Sequence, residues 1–373
     1  MNKAAIYLEN GIFIEATSFG ANGTTVGEIV FNTSMTGYQE IISDPSYAGQ
    51  FITFTATEIG NVGTNDDDNE SRGVYAKAVL VKNYQSEPSN FRSTESLSSY
   101  LKKHNILGIC DLDTRALTKI IRTEGAMMAI ASTEIFDKDK LAEMLKNSPR
   151  IEEINWIKEV SSKEAYKYTQ SAWNEAKFKY DTAPKADKTV VAIDFGAKLN
   201  ILNELCAAGL NVEVVPHSVK ADDLISRFKD GKINGIFLSN GPGDPLTLKD
   251  EVAEIKKLIA AKIPMFGICL GHQLLSIAHD YPTYKLKFGH HGGNHPVKNI
   301  ASGAVEITAQ NHNYNVPDEI LKIAEITHIN LFDNTIEGLK YKDEPIFSVQ
   351  YHPESSPGPH ESKYLFKQFA ASL

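Results

Sequence analysis

Three groups of residues in this 373-residue chain have the types and spacing to do chemistry. Cys269 stands in Gly267-Ile268-Cys269-Leu270-Gly271, between an apolar run ending in a glycine and a segment patterned as a helix. A strand that stops, presents one nucleophile and restarts as a helix is a nucleophile elbow. Such a turn predicts a sulfur held in the open, near the positive end of a helix, where free N–H groups and the dipole favour a thiolate. The second group is Ser239-Asn240-Gly241-Pro242-Gly243-Asp244-Pro245. Its glycines let the backbone approach a ligand and aim amides at a developing oxyanion, with the amide of Leu270 as a further donor. The same run also fits a plain Gly-Pro turn. The third is His352-Pro353-Glu354, which follows the apolar Ser348-Val349-Gln350-Tyr351. Proline biases His352 to an extended conformation, in which residues two apart face one side, so Glu354 can reach the imidazole and set its tautomer. Cysteine, histidine and glutamate then divide the roles of nucleophile, base and orienting carboxylate.

These residues need a scaffold that brings distant positions to one edge. From Thr189 onward, short apolar runs at 189–193, 211–215, 233–238 and 263–268 alternate with helix-length segments at 199–208, 222–229 and 250–261. That alternation predicts a parallel sheet covered on both faces, with ligands at the carboxyl ends of its strands. Both Gly241-Pro242-Gly243 and Cys269 fall at such ends. Before residue 160 the pattern differs. Two apolar stretches flank Asn10-Gly11, a signal for a tight hairpin. β-like runs follow at 27–31 and 51–54, and helical patterns at 93–103 and 114–122. The expected fold class is α/β, with an α+β domain over 1–160, a polar linker over 161–188, and a doubly wound, mostly parallel α/β domain over 189–373.

Composition excludes several functions. A net charge of -9 without a block of Lys and Arg gives no footing for nucleic acid. The N-terminus turns polar at Glu9-Asn10, before a signal-peptide core forms, and no run is long enough to span a bilayer. Cys110, Cys206 and Cys269 are too few and scattered for a disulfide framework, which suits a reducing cytoplasm. Cys110 and Cys206 read as small buried hydrophobes. His290, His291 and His295 lie in a Gly-rich stretch read as a loop, without ligand spacing, so no metal is expected. Asp66-Asp67-Asp68 lacks the glycine and distal glutamate of a calcium loop. His272 competes with His352 as the base, but three positions past the nucleophile on a helix it points away from the sulfur.

Together, Gly241-Pro242-Gly243-Asp244-Pro245, Gly267-Ile268-Cys269-Leu270-Gly271-His272-Gln273 and His352-Pro353-Glu354 make the C-terminal half resemble a class I glutamine amidotransferase. Thr36-Gly37-Tyr38-Gln39-Glu40, Asp44-Pro45-Ser46-Tyr47, Gly60-Asn61-Val62-Gly63, Asp111-Leu112-Asp113-Thr114-Arg115 and Phe288 to Pro296 extend the resemblance over essentially the whole chain. They are similar to the small-subunit family of carbamoyl phosphate synthetase.

That resemblance implies a glutaminase that frees ammonia through a glutamyl thioester on Cys269, with His352 as acid and base and Glu354 orienting it. It implies L-glutamine held by Ser46, Gly241, Gly243, Leu270, Gln273, Asn311, Asn313 and Tyr314, a site drawing on both halves of the chain, and Lys198 near the face between them. It implies a large synthetase subunit as partner that carries ATP and Mg and makes carbamoyl phosphate for arginine and pyrimidine biosynthesis, with no cofactor in this chain. The absence of a Gly-x-x-x-x-Gly-Lys-Ser/Thr loop agrees with ATP being handled elsewhere. Asn313 and Tyr314 stand where the family usually has glycine and phenylalanine, and asparagine tolerates the positive φ a glycine could adopt. Leu199 stands where arginine is common. Two other functions fit the same elbow: an independent cysteine hydrolase such as a γ-glutamyl peptidase, and a non-catalytic subunit with a vestigial elbow. An N-terminal half without its own catalytic constellation argues against the first, and the intact Cys269, His352 and Glu354 against the second.

Overall fold

The computed structural model describes residues 2–373, which fall into two compact units. One comprises the chain through Trp156 together with Lys287–Gly292; the other comprises Ile157–Leu286 and Gly293–Leu373. Among the described residues no helix is long and apolar enough to cross a membrane.

The first unit is built on a closed barrel of strands Asn2–Leu8, Phe13–Ser18, Leu107–Cys110, Ala78–Leu80, Gln50–Phe54, Thr24–Asn32 and Met127–Ser132, in that spatial order. Its central strands read as unbroken apolar runs because both faces are covered. Ile29, Phe51, Ala78 and Leu80 belong to one buried cluster. Their neighbours Val30, Ile52 and Val79 belong to another, with Leu97, Tyr100 and Leu101. The expected α+β domain is thus organised by closure, which leaves no sheet edge. The Asn10-Gly11 turn is a three-residue loop and not a two-residue one: Leu8 N–H donates to Ile12 O (2.9 Å), Gly11 N–H to Leu8 O (2.8 Å), and Gly11 takes φ 92°. The helix expected from residue 93 begins at Leu97, because Ser96 caps it by accepting from Ser99 N–H.

The second unit holds a ten-stranded sheet in the order Tyr166–Tyr168, Leu210–Pro216, Lys188–Asp194, Gly235–Leu238, Met265–Ile268, Ile346–Val349, Ile336–Tyr341, Ala324–Asn330, Tyr284–Asn299, Val305–Asn315. The five strands from Leu210–Pro216 to Ile346–Val349 are parallel. Alternate residues feed two cores. Val191, Ile193, Ile236, Leu238 and Met265 pack on one side. Val190, Ala192, Phe237, Phe266 and Ile268 pack on the other, where Phe366 and Phe369 of the last helix, Tyr364–Ser372, also lie.

Two expectations about irregular chain need correction. The stretch 161–188 carries strand Tyr166–Tyr168, paired with Leu210–Pro216, and a small hairpin of Gln170–Asn174 with Lys179–Thr182. Its polar sequence hid them, since neither an edge strand nor a hairpin outside the main sheet needs an apolar run. The Gly-rich histidine segment is part of the long strand Tyr284–Asn299 and not a loop; Gly289 (φ 68°) and Gly292 (φ 149°) supply its irregular turns of backbone.

Candidate active site

Strand Met265–Ile268 ends at Cys269, whose φ of 51° and ψ of -103° are costly for a non-glycine residue. Helix Leu270–Ala278 starts at the next residue. The reversal is this tight because glycines flank it. A Cβ on Gly271 would run into Leu238 O, and one on Gly267 would lie 2.8 Å from the Gly271 carbonyl carbon. Gly271 N–H donates to Ser239 O (3.0 Å) and Cys269 N–H to Val349 O (2.9 Å), so the elbow is tied to both neighbouring strands. Leu270, the first residue of the helix, has its N–H ahead of the intrahelical ladder, where it is free to serve an anion.

The sulfur is not in the open. Cys269 is 2 % exposed, and its Sγ lies 3.6 Å from Asn311 O on the strand Val305–Asn315. A turn argued from one strand and one helix omits the other chain segments that cover it.

His352 follows the neighbouring parallel strand, in which Val349 is the register partner of Ile268. Its backbone is held extended by a bridge to Ala309, with His352 N–H donating to Ala309 O (2.9 Å). Nδ1 lies 2.9 Å from Glu354 Oε1, which leaves Nε2 for the sulfur. The same oxygen of Glu354 accepts from Lys198 Nζ at 2.8 Å, and Nζ also donates to Ser356 O at 2.6 Å. All three charged side chains are buried. Burial opposes the charge on His352, but the Glu354 carboxylate and the adjacent Cys269 outweigh it and raise its pKa to about 10. Burial likewise opposes ionisation of Glu354, and Lys198 and His352 together pull its pKa down to about 2.

Lys198 is therefore a partner of the triad glutamate, a role its sequence context left unseen because 156 residues separate the two. It stands at the N-cap position of helix Leu199–Ala207 without a side-chain capping bond, and its N–H donates to Asn240 Oδ1 (3.1 Å). Leu199 is simply the first residue of that helix. His272 is set aside as a base. It is wholly buried, its Nδ1 lies 2.8 Å from Ser348 Oγ, and burial lowers its pKa to about 3.

Gly241 packs against the elbow, since a Cβ there would strike Phe195 O and lie 2.8 Å from Leu270 Cδ2; Gly243 takes φ 90°. Gln273 is buried and spends its side-chain NH2 on Tyr314 O (2.9 Å) and Gln350 Oε1 (3.0 Å). Asn311, Asn313 and Tyr314 lie on strand Val305–Asn315. Asn313 is in extended backbone and not at positive φ, so the tolerance argued for it is not called on. Cys269, His352, Glu354, Lys198, Gly241, Gly243, Leu270, Gln273, Asn311, Asn313 and Tyr314 all belong to the second unit. Ser46 belongs to the first, in the short turn Pro45–Tyr47, where its N–H donates to Asp44 Oδ1 (2.8 Å). Gln350 is the contact that sequence reasoning missed; its place two residues before His352 was the available signal.

Residues 6–131 match the family model of the carbamoyl-phosphate synthase small chain, CPSase domain, and residues 191–372 match that of class I glutamine amidotransferase. The chain is 61% identical over 370 residues to the carbamoyl phosphate synthase small chain of Helicobacter hepaticus, covering 99% of this chain and 98% of that one. It is 60% identical over 367 residues to that of Campylobacter jejuni (98% and 99%) and 48% over 372 residues to that of Aquifex aeolicus (99% and 98%). With an elbow cysteine, an oriented histidine and relatives matched end to end, this chain belongs to the carbamoyl phosphate synthase small chain family and carries a class I glutamine amidotransferase domain.

Proposed function

We propose that Cys269 attacks the side-chain carboxamide of L-glutamine and that the ammonia released is delivered to a large synthetase chain. Cys269 Sγ forms a bond to the carboxamide carbon while His352 holds the proton the thiol gives up. The oxygen of the tetrahedral intermediate faces the amides of Leu270 and of the Gly241–Gly243 turn. His352 then protonates the departing nitrogen, and water, deprotonated by the same imidazole, cleaves the glutamyl thioester to glutamate. Glu354 holds the imidazole in the tautomer that keeps Nε2 toward sulfur, and Lys198 holds Glu354. Ser46, Gly241, Gly243, Leu270, Gln273, Asn311, Asn313 and Tyr314 are assigned to glutamine. The Gln273–Tyr314 and Cys269–Asn311 contacts support a common site for the last residues of that set.

The observation that carries this reading is the single Glu354 oxygen shared by His352 and Lys198 behind an elbow cysteine. A vestigial site has no reason to keep three buried charges, because each costs desolvation. The partner reading rests on the chemistry of the product. Ammonia released into water is protonated and diluted, so a synthetase that uses it must receive it without exchange with bulk solvent. ATP, Mg and bicarbonate belong, on this reading, to the partner. The setting is a reducing cytoplasm, in line with three cysteines that form no disulfide.

Cys269→Ser in the complex with the large chain is expected to abolish glutamine-dependent carbamoyl phosphate synthesis and to leave ammonia-dependent synthesis within about twofold. Loss of both would mean that Cys269 is structural. Wild-type glutamine hydrolysis should rise when the large chain is added; an unchanged rate would favour an independent hydrolase.

A further inference from the structure

The first unit carries a groove that neither the triad nor the glutamine site uses. It has a volume of about 730 Å³ and is lined by Thr55, Thr57, Asn83, the Asp111–Arg115 turn and one face of helix Thr114–Glu124. Four cations reach it: Lys82, Arg115, Lys119 and Arg122, all exposed. Among the described residues none of the four side chains makes an ion pair or hydrogen bond. The charge of Lys82 is felt by Glu58, but that carboxylate is itself held by Asn83 and Gln85.

Three of the cations repeat at i, i+4 and i+7 along the helix, so they share one face and repel one another, at a cost of a few tenths of a kcal/mol per pair. In a chain with a net charge of -9, such a stripe calls for a counter-charge from outside. Its length identifies what kind. From Arg115 to Arg122 the helix rises about 10 Å, too far for one phosphate or carboxylate to bridge. Successive side chains on one face of an extended segment are about 7 Å apart, so two or three acidic residues in such a segment match the stripe. On the walls Thr55 and Thr57 offer hydroxyl donors for carboxylates, whereas Thr118 Oγ1 donates to Thr114 O and the Asn83 side chain to Glu58. Nucleic acid fits less well, since a run of phosphates needs cations beyond these four, and the chain has a net charge of -9 and no block of Lys and Arg.

We infer that the groove between Lys82 and the Arg115–Lys119–Arg122 face docks an acidic segment of the ATP-consuming synthetase chain. The inference rests on the coupled-glutaminase reading for the existence of that chain, and on the groove alone for the place of contact.

The test uses the full-length chain and the large chain. Arg115→Glu combined with Lys119→Glu is expected to raise the dissociation constant of the complex at least tenfold at low salt and to flatten its salt dependence. Glutamine hydrolysis by the isolated chain should stay within about twofold. Arg115→Ala with Lys119→Ala should give a smaller change in the same direction, and it decides the matter if the charge-reversed variant fails to fold. Affinity and salt dependence equal to wild type in a folded variant would overturn the inference. So would a labelled single-stranded oligonucleotide that binds the wild-type chain and is lost with the variant while the large chain still binds normally. If the wild-type chain does not associate with the large chain at all, the coupled reading fails first. A wild-type complex indifferent to both variants removes only the groove.

Discussion

Glu354 Oε1 accepts from two cations, and that one atom sets both the chemistry and the pH response of the site. His352 moves from an unperturbed 6.5 to about 10 on folding. Its contribution to stability is therefore fully present below pH 6.5 and is lost as pH rises through about 10, because in that window only the folded state keeps the proton. Glu354 moves from 4.5 to about 2, so its contribution is present above pH 4.5 and lost as pH falls through about 2. Glu354→Gln is expected to lower stability near neutrality by about 3–5 kcal/mol, since it leaves Lys198 buried without its anion. It should also flatten the alkaline decline, since the carboxylate is what holds the proton on His352. Urea midpoints followed from pH 6 to 10 read both effects, and an alkaline slope equal to wild type would assign it to other groups. The same variant should cut glutamine turnover on the order of 10²-fold or more, the scale of a lost acid–base function. The triad was legible from residue types, but not by the geometry expected: Pro353 and Glu354 form a turn closed by Ser355 N–H donating to His352 O (3.1 Å), and Glu354 reaches the imidazole across that turn and not along an extended segment. Lys198 was not legible, because nothing local links residue 198 to residue 354.

At the scale of elements, the elbow depends on glycines that leave no room. Gly271→Ala puts a methyl against the Leu238 carbonyl, which cannot move without disturbing its strand. A loss of about 1–3 kcal/mol is expected, as for overpacking elsewhere, together with slower labelling of Cys269 by a glutamine-mimicking electrophile. Thermal melts and intact-mass labelling measure the two, and wild-type labelling in the variant would show that the elbow tolerates the shift. Parallel strands of the second unit were readable as apolar runs because each is buried on both faces. Tyr166–Tyr168 and Lys179–Thr182 were not, because strands at an edge or in a small outlying hairpin carry ordinary polar residues. The barrel's closure was equally hidden: the stretches flanking Asn10-Gly11 and the runs at 27–31 and 51–54 mark four of its seven strands, Ala78–Leu80, Leu107–Cys110 and Met127–Ser132 were not read as strands, and which strand meets Leu107–Cys110 is decided by long-range pairing.

At the scale of the molecule, Lys287–Gly292 belongs to the first unit although it follows the elbow helix in sequence. Ala126 N–H donates to Lys287 O (3.0 Å) and Thr33 N–H to His291 O (3.2 Å), and the Phe288 ring lies 6.1 Å from that of Phe31. A fragment ending at residue 160 lacks these contacts. It is expected to unfold at a lower temperature in calorimetry than the corresponding unit in the intact chain, and an unchanged transition would show that the returning segment adds nothing. The sequence by itself determined the chemistry available: a nucleophile at a strand-to-helix turn, a histidine with its own carboxylate, glycines beside both, and the strand–helix alternation that puts them at one end of a parallel sheet. These are local properties, set by spacing and backbone preference. Only the tertiary structure decided that strands Met265–Ile268 and Ile346–Val349 are neighbours, that the Cys269 sulfur is covered, and that Lys198 completes the charge network. Each of those depends on contacts between residues far apart in the chain, which are selected by the packing of the whole sheet and its two cores.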